Sequence, residues 1–167
     1  TDYVKVPDGI AHFLEHKMFE KEDGDVFQKF GEQGASANAF TSFTRTSYLF
    51  STTDQLELNL ATLIDFVQAP YFTEESVQKE QGIIGQEIQM YQDDPSWQQF
   101  FAILKNMYPK HPLHIDIAGT IDSIADITVE DLYTCYITFY HHSNMTLFVV
   151  LKLETETLMA FIRENKA

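Results

Sequence analysis

The chain has 167 residues, which is enough for one domain with its own hydrophobic core. Hydrophobic residues make up 44% of it and charged residues 22%, a composition that excludes an intrinsically disordered chain. The formal net charge of -14 argues against a nucleic-acid partner, because phosphate binding requires clustered Lys and Arg side chains.

The ends of the chain and its single cysteine bear on cellular context. Cys135 is the only cysteine, so no internal disulfide can form, and its apolar helical neighbours predict a buried thiol. No apolar run reaches the length of a membrane span, and we expect no membrane partner and a cytoplasmic location. The chain starts at Thr1, without Met, in what reads as structured sequence. We therefore expect residues 1–167 to form a single, N-terminally truncated domain.

The first third of the chain predicts two helices and then two strands. In order, these are helices over residues 10–19 and 26–33 and strands over residues 35–41 and 46–52. Asp8 and Asp25 stand where the caps of the two helices are expected, and Gly34 ends the second helix.

The remainder of the chain predicts mainly helices. In order, they are a helix capped by Asp54 and reaching residue 68, a helix capped by Thr73 and reaching residue 92, a helix over residues 95–108, a loop-rich stretch over residues 109–127, a helix capped by Thr128 and reaching residue 140, a strand over residues 144–152 and a helix over residues 156–165. This arrangement predicts an α+β fold, a mostly antiparallel sheet with helices packed on one face.

The first predicted helix carries two histidines and a glutamate in five positions. His12 and His16 are four residues apart, so both imidazoles lie on one face of the helix and can reach the same cation. Glu15 lies beside that face, where a carboxylate can take a proton from a water on the metal. The alternative is a pair of ordinary surface histidines on an amphipathic helix.

A catalytic zinc usually has three protein ligands, so a third one is needed. On the helix that follows Thr73, Glu80 and Glu87 fall within about 20° of each other and inside an otherwise apolar stripe. Buried carboxylates are costly unless they are paired or bind a metal. The alternative is that both pair inside the core with Arg45 or a lysine. The remaining histidines lie in or beside loops and are poorer candidates: His111, His114, His141 and His142.

Several motifs together resemble the pitrilysin/insulinase family of zinc peptidases. They read GIAHFLEHKMFE, GASANAFTSFTRTSYLF, ESVQKEQGIIGQEIQMYQDDP and GTIDSIADITVEDLYTCYITFYHHSNMTLFVV, and they cover roughly residues 6–150. The order HxxEH is that of the inverzincins. The resemblance implies half of an insulinase-like two-domain unit.

The resemblance also implies a role for each motif residue. His12, His16 and Glu87 match the family's zinc ligands, and Glu15 matches the general base that activates the zinc-bound water. The remaining members of the implied catalytic and substrate-binding set are Glu80, as the carboxylate that orients a ligand histidine, and Asn38, Ala39 and Phe40, as the edge strand that pairs with an extended peptide.

The function implied is that of a Zn²⁺-dependent endopeptidase acting on peptide substrates. The family builds its chamber from two similar halves, in one chain or two, and no segment here is assignable to the second half. We therefore expect a second homologous half as partner. The alternative is a zinc- or peptide-binding subunit that is inactive without that partner. A purely structural zinc is a third reading, although such sites usually have four ligands and favour cysteine.

Overall fold

The computed structural model describes residues 5–151 and 154–165 and is an α+β structure, as predicted. Its elements in chain order are α1 (Ile10–Met18), β1 (Glu20–Lys21), β2 (Gly24–Asp25), α2 (Val26–Glu32), β3 (Ala35–Thr41), β4 (Thr46–Thr52), α3 (Leu56–Gln68), α4 (Glu74–Gln92), α5 (Pro95–Met107), α6 (Ile121–Ala125), α7 (Val129–Phe139) and α8 (Thr155–Asn165). Two short 3-10 turns, Pro112–His114 and His142–Asn144, lie on either side of α6 and α7. Among the described helices, none combines the length and the apolar character that a bilayer crossing requires.

The sheet part consists of two antiparallel pairs. The strands β1 and β2 form a minimal ribbon, and β3 pairs with β4 in a register that runs from Ala35 opposite Thr52 to Thr41 opposite Thr46. Both long strands begin and end at the predicted residues. Within the described ranges, neither β3 nor β4 has a strand on its outer side, so both edges of this hairpin are unpaired.

The core forms around α1, which packs against the β3–β4 hairpin, α4 and α7. One side of α1 supplies fully buried apolar side chains, and α4 and α7 meet them with theirs. The central members are Phe13, Leu14, Met18, Ile84, Ile88, Leu132 and Cys135. The buried thiol predicted for Cys135 is therefore confirmed. Because these contacts fix α1, the histidines that it carries are held beside α4 and β3.

Two predicted helix caps are wrong. Gly9, and not Asp8, precedes α1, with a left-handed φ of 90°, and a Cβ there would lie 2.5 Å from the Ala118 carbonyl oxygen. This close approach of two backbone segments leaves Asp8 one residue too early to cap the helix. Gln55 takes the corresponding position before α3, so Asp54 binds the Gln55 N–H instead. The caps predicted at Asp25, Thr73 and Thr128 are confirmed.

The strand predicted over residues 144–152 is also wrong. Residues 142–144 form a 3-10 turn and residues 145–151 have no regular structure, while Lys152 lies outside the described residues. Phe148 and Val150 are 85% and 84% exposed. A strand requires a neighbour to satisfy its backbone groups, and no described strand pairs with this segment. The loop-rich stretch 109–127 contains one helix that was not predicted, α6, which Thr120 and Ser123 begin with a capping box.

Candidate metal centre

Three side chains from α1 and α4 converge at the point where these two helices pack. His12 and His16 lie one turn apart with ring centroids 4.6 Å from each other. Glu87 reaches across from α4 and places its Oε2 3.7 Å from His12 Nε2 and 3.6 Å from His16 Nε2. The ligand atoms of the three residues all lie within 4.8 Å of one another. Helical spacing on two separate elements therefore brings together the three residues predicted as ligands.

The spacing of these atoms fits a divalent transition metal. Tetrahedral zinc with bonds of about 2.0–2.1 Å holds its ligand atoms roughly 3.4 Å apart, close to the two nitrogen–oxygen separations here. Two imidazole nitrogens and one carboxylate oxygen are a donor set that zinc accepts, and three protein ligands leave a fourth position free. Among the described residues, these three form the one group of at least three side chains that is arranged to hold a metal.

Glu80 contacts His16 on the side of the imidazole ring that faces away from Glu87. Its Oε1 lies 2.9 Å from His16 Nδ1, and its side chain is buried although it is acidic. Burial opposes protonation of His16, but the hydrogen bond and the charge of Glu80, with Glu87 and Glu15 nearby, outweigh it and raise the pKa of His16. A hydrogen bond at Nδ1 leaves Nε2 directed at His12 and Glu87. This contact has the form of the carboxylate–histidine pairs that orient metal ligands.

His12 differs from His16 in that its Nδ1 has no hydrogen-bond partner among the described residues. Burial, assisted by the charge of His16, lowers the pKa of His12 and favours the neutral imidazole that a metal binds. Its Nδ1 is buried, and within the described ranges no group hydrogen-bonds to it. The pKa values of the two histidines are therefore shifted in opposite directions.

Glu15 lies between α1 and the hairpin, where it is buried. Burial raises the pKa of its carboxyl group, although a hydrogen bond from Thr41 and the charge of His16 act in the opposite direction. The Thr41 hydroxyl donates to Glu15 Oε2, and Thr46 lies 3.2 Å from the same hydroxyl. A carboxylate with a raised pKa next to a metal-capable cluster has the properties of a general base.

The structural alternatives for the two glutamates do not hold among the described residues. The ion pairs of Glu80 and Glu87 are with His16 and His12, and Arg45 instead lies 5.4 Å from the ring of Phe40. The other four histidines lie in or beside the 3-10 turns, away from the cluster: His111, His114, His141 and His142.

An open cavity of about 800 Å³ extends from the cluster along β3. The predicted strand residues line it together with the metal-site side chains, and these lining residues include Asn38, Ala39, Phe40 and Thr41. Ser42 N–H donates to the Arg45 carbonyl at 2.8 Å, so Ser42 and Arg45 form a hydrogen-bonded pair of the hairpin. Hydrogen-bonded and non-hydrogen-bonded pairs alternate along two antiparallel strands, which makes Ala39 and Tyr48 a non-hydrogen-bonded pair. Ala39 therefore directs its backbone groups away from β4, and its N–H donates to Asn38 Oδ1 at 2.8 Å.

Two residues near the cluster were not predicted from the sequence. Thr41 lies at the end of the predicted substrate strand and contacts Glu15, and Tyr91 donates its hydroxyl to Glu87 Oε1. The signal for Tyr91 was its position one helical turn after Glu87, on the same stripe of α4. The roles predicted for the site residues remain predictions, but the structure brings all of them to one cavity.

Comparison with known proteins gives consistent results. Residues 5–121 match the model of the insulinase family, peptidase family M16. YmfH of Bacillus subtilis, described as an uncharacterized zinc protease, is 64% identical over 99% of this chain and 39% of its own length. The crystal structure of an M16-like peptidase from Alicyclobacillus acidocaldarius superimposes with a TM-score of 0.94 at 48% identity, over 98% of this chain and 39% of that one. The first half of the periplasmic protease PqqL from Escherichia coli gives a TM-score of 0.82 at 28% identity, over 94% and 36%. The chain thus spans about two fifths of the length of these relatives.

Proposed function

The chain belongs to the insulinase family, peptidase family M16, and from this premise we propose that it is the metal-holding half of a zinc endopeptidase. The observation that carries the proposal is the group of His12, His16 and Glu87 beside a buried carboxylate and an unpaired strand edge. The names of the relatives as zinc proteases support the choice of metal.

In this proposal His12, His16 and Glu87 hold the zinc. A zinc ion held by these residues would act as a Lewis acid and would lower the pKa of a bound water toward neutrality. Glu80 keeps the His16 ring in the orientation that presents Nε2, which its 2.9 Å contact with Nδ1 supports.

Glu15 is the proton acceptor in the proposed reaction. It takes a proton from the attacking water and returns it to the leaving amine, a task for which its raised pKa is suited. The substrate is an extended peptide that adds a strand at the unpaired edge of β3, where Asn38, Ala39 and Phe40 run beside the cluster. The net charge of -14 favours basic peptides if that charge lines the cavity.

A second homologous half, in the same polypeptide or as a separate subunit, completes the proposed enzyme. The chain covers 39% of YmfH and 36% of the PqqL half, which supports further sequence in a working protease. The same observation supports a second candidate, a zinc- or peptide-binding unit that does not cleave alone. Cleavage of an extended fluorogenic peptide by the chain alone, compared with the product of its complete reading frame, separates the two.

The first test is metal binding. After extensive dialysis, elemental analysis is expected to find about one zinc per chain, and Glu87→Gln is expected to weaken zinc binding at least tenfold in competition with a chelator. Glu75→Gln is the matched control, because Glu75 is an exposed residue of the same helix. A folded wild-type chain without zinc, or a Glu87→Gln variant that binds like the control, contradicts the proposed ligand set.

A further inference from the structure

The two oxygens of the Glu87 carboxylate have different partners. Oε2 faces the imidazole nitrogens, at 3.7 Å from His12 Nε2 and 3.6 Å from His16 Nε2. Oε1 accepts a hydrogen bond from the hydroxyl of Tyr91, one helical turn further along α4. One side of the carboxylate is therefore directed at the metal-capable cluster, and the other is occupied by a phenol.

The Tyr91 ring is held in place from outside α4. It stacks on Trp97 of α5 with centroids 4.4 Å apart and planes inclined by 14°. Trp97 Nε1–H in turn donates to Asp116 Oδ2 at 2.9 Å, and Asp116 Oδ1 accepts from the Ala118 N–H at 3.0 Å. A chain of contacts thus links the carboxylate to α5 and to the segment before α6. Such a braced hydroxyl cannot easily turn away from Glu87.

We propose that Tyr91 is a positioning residue that makes Glu87 a ligand through one oxygen only, an inference that rests on the proposed zinc site. A carboxylate can bind a metal through one oxygen or both, and a donor that occupies Oε1 favours binding through Oε2 alone. With one oxygen from Glu87, the protein would supply three ligand atoms to a bound zinc and would leave a fourth position open for water or substrate. Hydrogen-bonding partners of this kind commonly contribute 10- to 100-fold to metal affinity.

A simpler role for Tyr91 makes a different prediction. If the hydroxyl only satisfies a half-buried acceptor, its removal affects the stability of the fold and leaves the metal site unchanged. Tyr136 provides the matched control, because its hydroxyl donates to the Val67 carbonyl at 2.9 Å and takes no part in the cluster. Tyr91→Phe and Tyr136→Phe each remove one hydroxyl and keep the ring.

The experiment measures zinc affinity by chelator competition for the wild type, Tyr91→Phe, Tyr136→Phe and Glu87→Gln, with urea unfolding as a check on folding. Tyr91→Phe is expected to bind zinc about tenfold more weakly, Tyr136→Phe like the wild type, and Glu87→Gln more weakly than either. Cobalt(II) in place of zinc reports the coordination, since four-coordinate cobalt absorbs more strongly in the visible range than five-coordinate cobalt. Tyr91→Phe is expected to lose part of that absorption as both Glu87 oxygens bind.

The outcomes separate this inference from the function on which it rests. Wild-type affinity in Tyr91→Phe, or lower affinity with an unchanged cobalt spectrum, overturns the role of Tyr91 while a loss in Glu87→Gln leaves the zinc site standing. If Glu87→Gln also binds zinc like the wild type, the ligand set itself is wrong and the inference falls with it.

Discussion

Proteins usually bury apolar side chains and expose charged ones, and two regions of this chain depart from that pattern in opposite directions. One is the contact between α1 and α4, and the other is the segment of residues 145–151. Acidic side chains are buried at and beside the helix contact: Glu80 lies in it and is 9% exposed, and Glu15 lies between α1 and the hairpin and is 7% exposed. The segment leaves apolar side chains in solvent, with Phe148 and Val150 85% and 84% exposed. Burying a charged group and exposing an apolar side chain both cost free energy unless another interaction compensates.

The two regions differ in where the compensation lies. At the helix contact each buried carboxylate has a neighbouring hydrogen-bond partner, since Glu80 contacts His16 and Glu15 accepts from Thr41. For residues 145–151 no described strand supplies a backbone partner. Helix periodicity is thus sufficient to organise a polar site across two helices, whereas a strand-forming sequence becomes a strand only when a neighbour pairs with it.

The largest expected effect is on catalysis, from Glu15→Gln. If the buried carboxylate is there for chemistry, peptide cleavage by the product of the complete reading frame falls about 10³-fold, within the range for loss of a general base. Zinc affinity stays within about twofold of the wild type, as in Glu75→Gln. The free energy of unfolding is unchanged or rises, because burial raises the pKa of Glu15 and a neutral amide is easier to bury. Retained cleavage would mean that another group accepts the proton.

The next effect concerns stability on the apolar side of α1. Phe13 is fully buried, and Phe13→Ala is expected to reduce the free energy of unfolding by about 3–5 kcal/mol. Urea unfolding measures this directly. A loss below about 1 kcal/mol would show that α1 is not the centre of the core, and the rigid placement of the site residues would lose its explanation.

The helical and hairpin regions could be predicted from the sequence to a large extent. The spacing of His12 and His16 and the angular positions of Glu80 and Glu87 depend only on helix geometry, so the cluster was predictable once both helices were recognised. The resemblance to the insulinase family, confirmed by the comparisons, supplied the expected roles.

Two of the errors depend on contacts between segments that are distant in sequence. Asp8 fails as a cap because Gly9 meets Ala118, and residues 144–152 fail as a strand because pairing needs a partner. The contact of Thr41 with Glu15 likewise joins two elements 26 residues apart. Residue patterns within one short segment contain no information on which distant segment it will contact.

A smaller effect is expected from Thr41→Val, which removes the hydroxyl that Glu15 accepts from. Losing one hydrogen bond to a charged group costs roughly 1.5 kcal/mol, so kcat should fall about tenfold while KM and zinc affinity change little. Thr41→Ser restores the hydroxyl and should restore kcat. Thr138→Val is the control, since among the described residues that hydroxyl donates within its own helix, to the Thr134 carbonyl. Equal activity of Thr41→Val and wild type would limit Thr41 to a role in the hairpin.

The smallest effect is expected in the second region, from the same substitution used in the core. Phe148→Ala should change the free energy of unfolding by no more than about 0.5 kcal/mol, because a side chain that is 85% exposed loses few contacts. Urea unfolding at several protein concentrations measures it against Phe13→Ala. A loss comparable to that of Phe13→Ala would mean that Phe148 is covered in solution. If that loss grows with concentration, another copy of the chain covers it, and if it is constant, the chain itself does. In either case the contrast between the two regions would disappear, because the apolar side chains of the segment would then be covered as well.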